Sequence, residues 1–430
     1  MSTNSKILSK KKRILTFVSV IALVIVSIFS GAGTALAESE SLSNGYTPAN
    51  LVRAPILPQG FVTATTDFSF NIFRESINID NNSLVSPTSV SLALGMTANG
   101  ANEATLDQFL MLLGQNKLSL KQINYFNFVF SNILRDSGYC KFNLANSIWY
   151  KYNIASKINP NFLQTNADFY RASIYKADFS QQSTLTDINN WVNYNTNGLI
   201  KEIIKSLDPA TVMCLINALS FEADWEKQFS KEATEGYFYK RDGSLVNTSF
   251  LKSEDETYLE DENSTGFIKT YKGGKYSFVA MLPNNNTSLQ DYVNSLDANK
   301  FKRFIDSRTL EQTAKIDIPG FGYGYDINLV QPLKDLGFVD AFDEDIADFS
   351  KMISDKVYIG DILHKTFIQF SEVGTKAGAT TIVQVYPPSI PEDDVKKQVY
   401  FNRPFVYAIV ESGTNIPIFI GTVMNPTTAN

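Results

Sequence analysis

The clearest pattern of apolar and polar positions in this chain is an alternation near its C-terminal end. Written as an extended strand, Thr375, Ala377, Ala379, Thr381, Val383 and Val385 share one side, all small or apolar and none charged. Lys376, Gly378, Thr380, Ile382, Gln384 and Tyr386 share the other, which carries the single charge. A period of two puts alternate residues on opposite faces of a sheet, so the first set is suited to burial in a central strand. Glycine and small residues at the start of the segment keep its backbone mobile. The run Pro387-Pro388-Ser389-Ile390-Pro391 that follows cannot continue a ladder. The segment reads as a loop able to become a strand.

Elsewhere the pattern marks ordinary elements. Ser86-Pro87 supplies a helix N-cap and a proline at the first helical position, with Val90, Ala93, Leu94 and Thr97 on one face and Gly100 as the end. Asn102 begins a second helix that sets Leu106, Phe109, Leu110 and Leu113 at helical spacing and stops at Gly114. A third is predicted over Thr186–Thr196, burying Ile188, Trp191 and Val192. Strand-length runs follow at Thr211–Phe221, Tyr276–Leu282, Lys315–Ile318, Lys365–Phe370, Val406–Val410 and Ile416–Thr422. Helices early and strands late, without regular β-α alternation, predict an α+β fold with antiparallel or mixed sheets. Periodicity never lapses for long after Gly60, which gives one domain over 60–427. Residues 38–59, polar and then punctuated by proline, read as a linker, a tether rather than part of the fold.

Composition narrows the function. With 430 residues there is ample chain for one large core. A formal net charge of −6, and no basic cluster beyond the first residues, argue against a nucleic-acid partner and against a heparin-type groove. The N-terminus reads as an export signal over 1–37. Lys6, Lys10, Lys11, Lys12 and Arg13 precede an apolar run from Ile14 to Phe29, and Ala35-Leu36-Ala37 forms an Ala-x-Ala cleavage pattern. The alternative is an uncleaved membrane anchor. The two cysteines, Cys140 and Cys214, make no disulfide framework and read as two thiols. His364 is the one histidine, so a histidine metal cluster is excluded; a Ser-His-Asp or Cys-His hydrolase would have to use His364, and the absence of a Gly-x-Ser-x-Gly elbow argues against one. No cofactor is implied.

A set of short blocks carries a family resemblance. Asn82-Ser-Leu-Val-Ser86-Pro87-Thr-Ser89-Val90, Ala145-Asn146-Ser-Ile-Trp149, Asp178-Phe179-Ser180 and Ile188-Asn-Asn-Trp191-Val192…Thr196-Asn-Gly198-Leu-Ile200 come first. Asn217-Ala-Leu-Ser-Phe221…Trp225…Phe229 follows, with Glu222-Ala223 where the family has Lys-Gly. Leu336-Gly337, Ala347-Asp348-Phe349-Ser350, His364-Lys365, Phe401-Asn-Arg403-Pro404-Phe405 and Phe419-Ile-Gly421…Asn425-Pro426 complete the series. Each block alone is weak, but in this order they make the chain resemble a serpin from end to end.

The resemblance implies helices packed on a large central mixed sheet with smaller sheets, and an exposed reactive loop over 372–400. It also implies a mechanism. A target serine protease, or a cysteine protease, attacks the loop, forms a covalent acyl-enzyme, and is trapped when the loop inserts as a strand. Glu372, Gly374, Thr375, Ala377, Gly378 and Ala379 match the hinge, and the nominal scissile bond falls at Pro388–Ser389, flanked by Val385, Tyr386, Pro387 and Ile390. Cleavage at Val385–Tyr386 or Ser389–Ile390 remains an alternative register. Ser86, Ser89, Asn217 and His364 match the shutter beneath the opening strands, and Trp225 the breach where insertion starts. The plainer reading of His364 is a satisfied core histidine. A non-inhibitory serpin that binds or carries a ligand is the alternative function. The expected protein is a monomer, with loop–sheet polymerisation open to it.

Overall fold

The computed structural model describes residues 39–426, apart from 43–44, 53–55, 137–138, 209, 310–311 and 376–396. The export signal and the loop positions Ala377, Gly378, Ala379, Val385, Tyr386, Pro387, Pro388, Ser389 and Ile390 lie outside the described residues. The longer helices are α1 (Gln59–Ser76), α2 (Pro87–Ala98), α3 (Glu103–Gly114), α4 (Leu120–Arg135), α5 (Pro160–Tyr170) and α6 (Gln182–Asn195), followed by α7 (Leu289–Ser295), α8 (Ala298–Asp306) and α9 (Val330–Asp335). Among the described residues, no helix is long and apolar enough to cross a membrane.

The strands of the first half are β1 (Glu40–Ser41), β2 (Ser83–Val85), β3 (Lys141–Lys151), β4 (Ser173–Ala177), β5 (Met213–Asp224), β6 (Thr234–Tyr239), β7 (Leu245–Glu260) and β8 (Ser264–Thr270). Those of the second half are β9 (Tyr276–Pro283), β10 (Thr313–Pro319), β11 (Phe321–Asn328), β12 (Leu363–Phe370), β13 (Gly374–Thr375), β14 (Lys397–Tyr400), β15 (Phe405–Glu411) and β16 (Pro417–Val423). They form two sheets. One runs β1-β4-β3-β5-β13-β12-β11, and the other β14-β10-β7-β8-β9-β15-β16-β2 with β6 beside β7. Both are mixed, since β3 and β4 run parallel, as do β10 and β14, among antiparallel neighbours. This is the predicted α+β class.

Local sequence explains the elements that hold the site. The Ser86 hydroxyl accepts from the Ser89 N–H and Pro87 opens α2, so the helix starts where a capping residue and a preset φ coincide. All of α2 except Ala93 is buried, against β5 on one side and β16 on the other. The strands β9, β15 and β16 are buried along their whole length, which is why they read as continuous apolar runs rather than alternating ones. Outside the main core, Ile188 and Val192 of α6 pack with Trp149, Phe179 and Ile216 in a second apolar cluster over β3 and β5.

Several boundaries differ from the sequence expectation. Helix α6 begins a turn early, at Gln182, because Leu185 joins Ile188 and Val192 in the buried stripe. Asn102 precedes α3 without a side-chain cap, and the left-handed residue that ends it is Gln115 (φ 51°), one place beyond Gly114. The strand expected to stop at Phe221 continues to Asp224, because Glu222 pairs in register with Lys141 of β3 and its carboxylate meets that ammonium at 3.3 Å.

The tether reading of 38–59 is corrected. Glu40 and Ser41 pair with Lys176 and Tyr175 at the free edge of β4, and the Glu40 carboxylate lies 2.9 Å from the Lys176 ammonium. Beyond them Thr47 O accepts from Gln164, Ala49 N–H donates to Asp168, and Val52 O accepts from the Tyr125 hydroxyl. A polar composition does not prevent this, since an edge strand meets its neighbour through backbone groups and needs no apolar face.

Candidate functional site

The site is a split in the seven-stranded sheet. Among the described residues β5 and β12 are joined only through β13, whose Gly374 and Thr375 pair with Asp224 and Ala223 on one side while Thr375 pairs with Phe370 on the other. Below this first rung the described residues line a cleft of about 520 Å³, whose walls include Ser86, Ser89, Asn217, His364 and Thr375. Position 374 must be glycine for a steric reason. A Cβ there would stand 2.2 Å from the Ala223 carbonyl oxygen and 2.8 Å from the Asp224 Cα. Thr375 points inward as its alternation predicts. It is 4% exposed, and its hydroxyl lies 2.6 Å from that of Tyr271.

Three donors grip the turn that leads into the hinge. The Trp225 indole N–H donates to Ser371 O at 2.9 Å, the Trp225 backbone N–H to Val373 O at 2.9 Å, and the Phe229 N–H to Glu372 O at 3.1 Å. Glu372 therefore enters the site through its backbone carbonyl. The indole itself stacks on Tyr271 at 4.3 Å between centroids and meets Phe370, Phe229 and Phe278 edge-on at 5.4–5.9 Å. Offset and edge-to-face contacts of this kind hold rings in one arrangement beyond what area burial supplies.

Lower down, side chains take part in every bond, two of them with other side chains. His364 Nε2 accepts from the Ser86 backbone N–H at 3.0 Å, and the Ser86 hydroxyl donates to Ile418 O at 2.9 Å. The Ser89 hydroxyl donates to Asn217 Oδ1 at 2.5 Å, and Asn217 Nδ2 donates to Asn146 Oδ1 at 2.8 Å. Asn146 in turn donates to Tyr170 O at 2.7 Å. The structure thus brings all four predicted residues to one cleft, on its two sides. His364 answers to Ser86 on α2, while Asn217 answers to Ser89 and to β3. Burial lowers the His364 pKa to about 4, against a smaller opposing pull from Asp326. Its imidazole is neutral at pH 7, with Nε2 the acceptor and the proton on Nδ1.

Sequence reasoning missed Tyr271 and Asn146 as members of the site. Asn146 stood in a family block, but its bond to Asn217 follows from the direct β3–β5 register. Nothing local distinguishes Tyr271 among 20 tyrosines. The cysteines behave as predicted: neither is in a disulfide, and burial pushes Cys140 up to about 11 and Cys214 up to about 12, so both are thiols at neutral pH.

The site is thus a main sheet whose strands β5 and β12 are bridged, among the described residues, by one buried rung, with a capped core helix lining the cleft below it. Residues 63–426 match the family model described as serpin (serine protease inhibitor), and the chain belongs to the serpin family. Human neuroserpin is similar at 29% identity over 394 residues, covering 85% of this chain and 92% of that protein. Serpin-Z2B of Triticum aestivum is 30% identical, covering 80% of this chain and 90% of its own length. Among solved structures, the thermophilic serpin tengpin in the native state matches with a TM-score of 0.83 and 41% identity, over 90% of this chain and 100% of that one. The family is one of protease inhibitors and generally not of enzymes.

Proposed function

We propose that the protein is a secreted suicide-substrate inhibitor of serine proteases. The observation that carries the reading is the start of the hinge, Gly374 and Thr375, already seated as one rung between β5 and β12 above a cleft of about 520 Å³. In the proposed reaction the serine of the protease attacks the carbonyl of Pro388. The Pro388–Ser389 bond breaks, the Ser389 amine leaves with a proton, and an ester joins Pro388 to the protease. The released loop then extends the ladder downward from Thr375.

The register supports this. Thr375 faces Ala223 and Phe370, so a ladder continued in that register would set Thr381, six residues further on, between Asn217 and His364. Each rung adds hydrogen bonds to both neighbours, each worth about 0.5–1.5 kcal/mol net. The inward series from Thr375 to Val385 brings no charge into the interior, where an unpaired one would cost several kcal/mol. Ser86, Ser89, Asn217 and His364 then form a shutter whose hydrogen bonds change partners as the strands part, and Trp225, with Tyr271 stacked on it, marks the breach. The basic residues, apolar run and Ala-x-Ala site of residues 1–37 support release across a membrane.

Incubation with a panel of serine and cysteine proteases tests the reading. A denaturant-resistant covalent complex should appear together with a released C-terminal fragment, whose mass fixes the cleaved bond. Clipping of the loop by every protease without any complex would leave a binding or carrier protein.

A further inference from the structure

Directly behind the hinge lies a buried ion pair that the insertion reaction, as described, does not use. The Lys269 ammonium of β8 is 2% exposed and contacts the Glu256 carboxylate of β7, itself 10% exposed. Ser253 completes the group. Its hydroxyl donates to the same carboxylate oxygen and accepts from Lys269 Nζ at 3.2 Å. A cation removed from water this completely is tolerated only when its charge is answered on every side. Here the remaining side is aromatic. Lys269 Nζ stands 4.4 Å from the centroid of the Phe229 ring and 5.8 Å from that of Trp225.

Those two residues are the ones whose N–H groups hold Ser371 O, Glu372 O and Val373 O. The neighbouring rings set the orientation of Phe229 and Trp225, and a cation over the ring face adds an attraction through the quadrupole that opposes their displacement. We propose that Lys269, held by Glu256 and Ser253, is a positioning residue for the hinge: its cation seats Phe229 and Trp225, and they keep the first rung of the ladder formed before any protease arrives. The consequence for inhibition rests on the inhibitory function proposed above; the seating itself does not. With the seat lost, insertion must form its first rung anew, and more of the acyl-enzyme is hydrolysed before trapping.

Two variants separate positioning from simple stability. Lys269→Met combined with Glu256→Gln removes both charges and leaves no unpaired ion, and Lys269→Arg keeps the cation and its partner. Hydrogen–deuterium exchange read at the Trp225 and Phe229 amides should be about thirtyfold faster in the neutral pair, the scale expected of one desolvated cation–π contact. It should be unchanged in Lys269→Arg, with the amides of β9 unaffected in both. Unchanged exchange at Trp225 and Phe229 in the neutral pair, or equal acceleration throughout the sheets, would overturn the proposal. Neither outcome depends on inhibition. Absence of a covalent complex with the unmodified protein would instead count against the inhibitory function alone. In an inhibitory protein, the neutral pair should also raise the number of molecules consumed per protease trapped, and an unchanged number would contradict the stated consequence.

Discussion

The top and the middle of the split sheet are held together in different ways. At the top, every polar bond to the turn 371–373 ends on a backbone carbonyl, and stacked aromatic rings aim the donors. In the middle, Ser89, Asn217 and Asn146 hold one another side chain to side chain, and His364 takes a backbone N–H. Backbone bonds seated by rings fix a register, because shifting them moves a whole segment. Side-chain bonds between amides and hydroxyls can be exchanged for others of the same kind at little cost. On the function proposed above, the top would fix where an entering strand begins and the middle would adjust as it passes.

The sharpest way to break this contrast is at the first inward residue. Thr375→Arg places a charge at a site 4% exposed, against Tyr271, and should cost several kcal/mol in any state with the hinge seated. In a protease assay the variant should be cleaved as a substrate without forming complex, and an unchanged number of molecules consumed per protease would remove the hinge from the mechanism. Next in size is Trp225→Ala. It deletes the stack on Tyr271, three edge contacts and the bond to Ser371 O, and should lower stability by about 3–5 kcal/mol in urea unfolding. A loss below about 1 kcal/mol would mean the top is not held by its rings.

The middle is tested by pH. An unfolded chain's imidazole gains its proton near pH 6.5, while that of folded His364 does so only at about 4. The unfolded state therefore binds more protons between those values. The contribution is fully present above about pH 6.5 and is lost as the pH falls toward 4, by about 3 kcal/mol in all. Melting curves across this range should show the slope in the parent protein and lack it in His364→Gln, and an identical slope in both would place the titration elsewhere. The smallest effect is expected at Tyr271→Phe, which keeps the ring on Trp225 and loses only the hydroxyl bond to Thr375, about 1 kcal/mol. An effect as large as that of Trp225→Ala would show that the bond, not the stack, governs the top.

The same contrast explains what could be read from sequence. The middle was legible through the family resemblance, which groups Ser86, Ser89, Asn217 and His364; local sequence alone marked only the Ser-Pro cap that starts α2 and the single histidine. The inward setting of Thr375 was legible because a period of two is a local property. The grip on 371–373 was not, since its donors lie about 145 residues earlier in the chain and its acceptors are carbonyls that every residue carries. Tyr271 was hidden for the same reason, being placed by its bridge to Trp225 and its hydroxyl contact with Thr375 rather than by any neighbour in sequence. The edge strand at Glu40–Ser41 was lost to its polarity, because burial patterns say nothing about a strand with two exposed faces.

Everything in this account requires that the ladder begun at Thr375 run to completion once the loop is cut. The direct measurement is the melting temperature of the protein before and after cleavage between Val385 and Ser389. A full added strand should raise it far beyond that of the intact molecule, and Thr375→Arg should abolish the rise. A clipped protein that melts where the intact one does would contradict the claim.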